Sequence, residues 1–180
     1  MREKGFTLIE LLGVIVILSL IMLIAIPNIT STLDRSKREQ YLVDAKKFVS
    51  LVEYELRKGS LDKPGTTELL QITLDYLNTN DLEKDADGNT YDLLNSYVVV
   101  ARKNGYLVYY VNLIAYNGTK YKGIKLVDSE QLDKDGTTEG DKNRYSLIEN
   151  DVNLLSDEEI KETVGIVGDS VVVTKKTRNN

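Results

Sequence analysis

From Phe6 to Pro27 the chain is almost wholly apolar, interrupted only by Thr7, Glu10, Gly13 and Ser19. As a helix, such a run can cross a hydrocarbon layer about 30 Å thick. Apolar on every side, it must lie in lipid or among other apolar helices. Arg2 and Lys4 precede it, a bias that favours a cytoplasmic N-terminus. Glu10 constrains the reading most, because an ionised carboxylate near hydrocarbon is costly and calls for a partner. A secretory signal peptide would share the basic start and the apolar run. Glu10 fits it badly, however, and Ala25-Ile26-Pro27 offers no clean small-x-small cleavage site. A plain single-pass anchor accepts everything except Glu10.

The string Lys4-Gly5-Phe6-Thr7-Leu8-Ile9-Glu10 resembles the processing motif of type IV prepilins and the related pseudopilins, and the resemblance covers about the first third of the chain. It implies that a membrane-embedded prepilin peptidase cuts after Gly5 and that the new N-terminal Phe6 is N-methylated. Glu10 matches the family's acidic residue, and Pro27 its proline near the end of the apolar stretch. Where many members carry a glycine this chain has Ser19, with Gly13 lying earlier, so the place where the helix loosens in a filament is not carried over. Cleavage would create a free amine at Phe6. That amine and Glu10 of a neighbouring copy attract strongly where water is scarce, whereas either one alone is a buried unpaired charge. The pair would act as a register device for packing helices.

The implied organisation is a leader at 1–5, a transmembrane and assembly segment at 6–27, and a soluble pilin domain at 28–180. That domain divides into an amphipathic helix half (28–58), a connector with a short helix (59–82), and a β-meander with the C-terminal region (83–180). The implied function is a structural, non-enzymatic subunit of a type IV pilus that polymerises through its N-terminal helix for adhesion, aggregation or motility. The alternative is a pseudopilin of a type II secretion-like or competence DNA-uptake machine. A membrane-anchored binding module that never polymerises is a third reading, against which Glu10 argues. The implied partners are other copies or related pilins, the prepilin peptidase, the assembly machinery and, before assembly, the membrane. The precursor would reside in the cytoplasmic membrane and the mature chain in an extracellular filament.

The residues beyond Pro27 carry their own pattern. Leu42, Ala45, Val49, Val52 and Leu56, flanked by Tyr41 and Phe48, recur at three- and four-residue steps, predicting an amphipathic helix. It ends near Lys58-Gly59, roughly 75–80 Å from its start at 1.5 Å per residue. After Pro64-Gly65, Thr66 or Thr67 is expected to cap a short helix through about Leu77, with Leu69, Leu70, Thr73, Leu74 and Leu77 on one side. Strands are expected at Ser96–Arg102, Tyr106–Tyr116 and Lys120–Val127. Asn104-Gly105 and Asn117-Gly118 between them are hairpin signals. Asp128–Arg144 reads as a polar surface loop, and Ser156-Asp157-Glu158-Glu159 as a capping box. Val164–Val167 and Val171–Thr174, divided by Gly168-Asp169, read as a last hairpin or strand. The fold class is α+β: a long N-terminal helix, transmembrane then amphipathic, packed on a small antiparallel sheet.

Asp85, Asp87 and Asn89 alternate as in the first half of a calcium loop, but Thr90 replaces the usual Gly and Ser96 the bidentate Glu. Asp and Gly turn chemistry feeding a strand is the preferred reading of this segment, so no metal or cofactor is expected. The chain has no Cys and no His, which excludes a disulfide framework and every catalytic scheme or metal site built on those residues. A net charge of −5 argues against nucleic acid as a partner, because that affinity rests on neutralising phosphates. No nucleophile-and-base pair, phosphate loop or carboxylate pair stands out, and the many tyrosines fall mostly in strands, where they pack well.

Overall fold

The computed structural model describes residues 6–133, 148–150, 154–166, 168 and 170–178, with backbone alone at 24–28, 30, 31, 34 and 148–150. It divides into two compact units, Met1–Ser36 and Lys37–Asn180. One helix, α1 (Leu8–Lys58), contributes to both.

In the first unit α1 carries the apolar run. Every described side chain from Phe6 to Leu23 is exposed, as expected of a helix that is apolar all round and taken alone. Ser19 donates its hydroxyl to the Ile15 carbonyl at 2.7 Å, which hides one polar group within the helix. The backbone stays helical through Pro27, although proline lacks the N–H that the ladder uses. Among the described residues, no helix is long and apolar enough to cross a membrane. The described side chains of this stretch stop at Leu23, whereas the expected crossing segment extends to Pro27.

In the second unit the expected stripe faces inward. Tyr41, Ala45, Phe48, Val49, Val52 and Leu56 are buried and Leu42 is half-buried. They pack on one face of a six-stranded sheet. Its strands are β1 (Glu68–Thr73), β2 (Tyr97–Lys103), β3 (Tyr106–Tyr116), β4 (Tyr121–Asp128), β5 (Ile148–Asn150) and β6 (Val172–Lys176). Their order is β5-β4-β3-β2-β1-β6. The meander β2-β3-β4 is antiparallel, as expected. Asn104 and Gly105 both take positive φ, 51° and 85°, the pattern of a two-residue primed turn. The second hairpin differs. Only Gly118 is left-handed there, and the Asn117 side chain accepts the Thr119 and Lys120 amides at 2.9 and 2.8 Å. That closes a four-residue loop between strands.

Three expectations are corrected. The helix expected from Thr66 or Thr67 to Leu77 is strand β1 followed by the single turn α2 (Leu74–Leu77), capped by Thr73. β1 lies between β2 and β6, so both of its edges are paired, and its two faces are covered by separate clusters, one holding Leu70 and Ile72 and the other Leu69. A short apolar run of this kind fits either period, and pairing with Tyr97–Val100 decides it. The sheet is mixed rather than wholly antiparallel, because β6 runs parallel to β1. Finally, Val164 closes helix α3 (Asp157–Val164) instead of opening a hairpin. The expected capping box is present at its start, with the Ser156 hydroxyl accepting Glu159 N–H and Glu159 accepting Ser156 N–H. Most of the polar loop, residues 134–144, lies outside the described residues, and its first part is a 3-10 turn, Ser129–Asp133.

α3 lies on the sheet face opposite α1. Ile160 and Val164 pack there with Leu69, Val99, Ala101, Tyr110 and Leu126. The same face continues as a more polar row, in which Thr73 pairs with Tyr97 and Tyr97 with Asn112 across the strands.

Candidate assembly segment

The first turn of α1 is built by two side chains. Thr7 precedes the helix and Glu10 is its third residue. The Glu10 carboxylate accepts the Thr7 N–H and the Thr7 hydroxyl, both at 2.8 Å. The Glu10 N–H points at the Thr7 hydroxyl at 3.4 Å. This reciprocal capping box satisfies donors that a helix start otherwise leaves bare. Phe6 precedes it and is 88% exposed. Gly5 lies outside the described residues, as does the leader, and the Pro27 side chain is likewise outside. Phe6 and Glu10 therefore share the start of one helix, whereas Pro27 lies several turns along. The sequence reading overlooked Thr7, although Thr-x-x-Glu ahead of an apolar run was the available signal. One carboxylate oxygen, Oε2, receives both Thr7 donors.

The turn at 85–89 is held by side chains, in keeping with the turn reading of this segment. Asp85 is buried. Its Oδ1 accepts the Asp87 and Asn89 amides at 2.9 and 2.7 Å. Its Oδ2 accepts the Tyr41 hydroxyl at 2.7 Å and the Asn89 side-chain amide at 3.2 Å. Asp87 faces two ammonium groups, Lys37 and Lys122, each at 2.6 Å. Tyr91 donates to Asp44 on α1 at 2.8 Å, and its ring meets Tyr41 edge-on at 5.8 Å. Burial, then the bonded carboxylates, push both phenols well above the usual tyrosine range. The segment is thus pinned to α1 by two neutral phenols and one charged cluster. Among the described residues, no group of three or more acidic side chains could hold a metal ion.

Asp87 gives this clamp a defined pH dependence. Hydrogen bonds from Lys122, then Lys37, hold its carboxyl below the usual aspartate range. A depressed folded-state pKa adds stability above the unfolded value of about 3.9. That stability is lost as pH falls through the folded value. Asp87→Asn is expected to cost about 1 kcal/mol at pH 7 for so accessible a cluster, or about 3 °C in Tm at this chain length. The difference from wild type should shrink to nothing in acid, and an equal gap at pH 7 and pH 2 would remove this account.

The chain matches the family described as the prokaryotic N-terminal methylation motif over residues 1–26. It is also similar to the ComG operon protein 3 homolog of Bacillus licheniformis, 33% identical over 67 residues, or 37% of this chain and 65% of that protein. The chain thus spans just under two thirds of that relative's length. No solved structure matches it. The motif spans the start of α1, where the capping box sits, and in this N-terminal segment the chain is similar to the pilins and pseudopilins of the type IV pilin-like family.

Proposed function

We propose that the chain is a structural, non-catalytic subunit of a type IV pilus. The precursor sits in the cytoplasmic membrane, and prepilin peptidase removes residues 1–5 and exposes Phe6. Copies then pack through segment 6–27 into an extracellular filament serving adhesion, aggregation or motility. The observation carrying this reading is a single acidic residue, Glu10, fixed one turn from the expected new terminus of a helix whose described apolar side chains as far as Leu23 are all exposed. Such a surface needs lipid or identical helices around it, and its carboxylate needs a cation. Soluble unit Lys37–Asn180 supplies the outward part. No metal enters the reading; Asp85, Asp87 and Asn89 serve as the lock of a turn.

A pseudopilin of a competence DNA-uptake machine is as well supported, because the similar B. licheniformis protein is a ComG operon product. Deleting the gene separates the two. Loss of surface filaments in electron micrographs supports the pilus, whereas loss of DNA uptake with surface filaments intact supports the pseudopilin.

Both readings require the same processing. Mass spectrometry of membrane-bound or sheared protein should find a chain starting at N-methylated Phe6. A mature terminus near Asn28 would mean signal-peptide cleavage and would overturn both.

A further inference from the structure

The sheet face that carries α3 is only partly covered by it. Beyond the α3 contacts, the row of Gln71, Tyr97 and Asn112 forms part of the lining of a cavity of about 300 Å³. Leu94, Leu154 and Tyr121 are among its walls. Gln71, Tyr97 and Asn112 are each at least nine-tenths buried. Two of their polar atoms, Gln71 Oε1 and the Tyr97 hydroxyl, have no hydrogen-bond partner among the described residues. A buried polar atom without a partner forfeits its hydration with nothing in return, so two on neighbouring strands of one cavity call for an explanation. Nearby groups are already engaged. Asn112 donates to the Asn95 carbonyl at 2.7 Å, and the Thr73 hydroxyl donates to the Lys176 carbonyl at 3.0 Å.

The missing partner has a definable chemistry. Gln71 Oε1 requires a donor, while the Tyr97 hydroxyl can donate or accept. Burial, then Asp157 and Glu159, raise the Tyr97 phenol, so it stays a neutral hydroxyl in a field that disfavours anions. Lys125 and Lys175 also line the cavity, which disfavours a cation, and Lys175 is held by Asp157 at 2.8 Å. The balance suits an uncharged molecule. Leucine and tyrosine walls suit C–H surface, and the orphan atoms suit hydroxyls that both donate and accept. The volume is at the lower end of ligand pockets and far exceeds the roughly 30 Å³ share of one water.

We infer that this cavity is a binding site for an uncharged, hydroxyl-rich ligand of monosaccharide size, seated on Gln71 and Tyr97. The site uses no residue of segment 6–27.

The test uses the full chain in a zwitterionic detergent without a sugar headgroup. Glucose, galactose, mannose and N-acetylglucosamine are titrated by calorimetry and by saturation-transfer NMR. At least one should bind with Kd of about 1 mM or tighter. Gln71→Leu or Tyr97→Phe should weaken it about tenfold, as expected for one lost hydrogen bond. Neither variant should lower the Tm, since each removes a partnerless polar atom while roughly keeping its volume. Absence of binding by all four sugars at millimolar concentration would overturn the inference. So would binding that both folded variants leave unchanged.

Discussion

Glu10→Ala is expected to leave a chain that is made, inserted in the membrane and cleaved after Gly5, yet builds no filament by itself. Glu10 lies in the first turn of α1, where Thr7 N–H and hydroxyl both bond its Oε2. On assembly, the proposed partner is the Phe6 amine of the next copy. Removing the carboxylate leaves that amine without compensation in an apolar surround. Leaving one buried charge unpaired should cut each docking equilibrium by about a hundredfold or more. The hydrogen bonds of Glu10 run to Thr7 in the first turn, so the second unit should fold normally and the variant accumulate as a membrane-bound monomer. Glu10→Gln separates the two roles of the side chain: it can retain bonds to Thr7 but not the ion pair. Filament counts by electron microscopy, with immunoblots of membrane and sheared fractions, supply the readout. Normal filaments from cells carrying only Glu10→Gln would remove the ion pair and leave the helix cap as the residue's role. Normal filaments from Glu10→Ala would remove both.

Gly123→Ala should have the largest effect on folding of the second unit. Gly123 pairs with Ile114 beside a register shift between β3 and β4. A Cβ there would lie 2.0 Å from the Leu113 carbonyl oxygen and 2.8 Å from the Ile114 Cα. Both are backbone atoms in the middle of a ladder and cannot swing aside as a side chain end would. The cost should reach about 3 kcal/mol, the upper part of the usual overpacking range, lowering Tm by roughly 10 °C. Gly105→Ala is the comparison. Its φ is 85°, but nothing lies within 4 Å of the added atom, so it carries only left-handed strain of about 1 kcal/mol. Equal Tm losses in the two variants would show that crowding at Gly123 is not the cause.

What could be read from the residues was what is determined locally. The stripe from Tyr41 to Leu56 repeats on one side of a helix, and its buried members came out in that order. Ser156 and Glu159 are three apart and cap each other. Asn104-Gly105 required two positive φ values and has them. The misreadings have a common physical source. Leu69, Leu70 and Ile72 fit a helix or a doubly covered strand equally well, and only β2 and β6 on either side choose. The parallel pairing of β6 leaves no local trace, because its partner is far away in the chain. The row of Gln71, Tyr97 and Asn112 reads in sequence as isolated polar residues in three strands. Only strand register makes them neighbours. At the start of α1 the cap was legible as Thr7 and Glu10 three residues apart, the same spacing as Ser156 and Glu159.

The pairing of β1 with β6 also bears on how the second unit comes to exist. Thr73 and Lys176, which bond across the end of this pair, are 103 residues apart in the chain. Local pieces such as the β2-β3 hairpin can form as soon as they emerge, but strand contacts of such long separation form late. Until β6 arrives, β1 presents an open edge carrying Leu69, Leu70 and Ile72, with nothing to block a foreign strand. On the export proposed for this chain, the sheet would stay unfinished until nearly the full length of the chain had been delivered. Slow delivery of that last strand would leave neighbouring copies, concentrated in one membrane, able to pair through β1 instead.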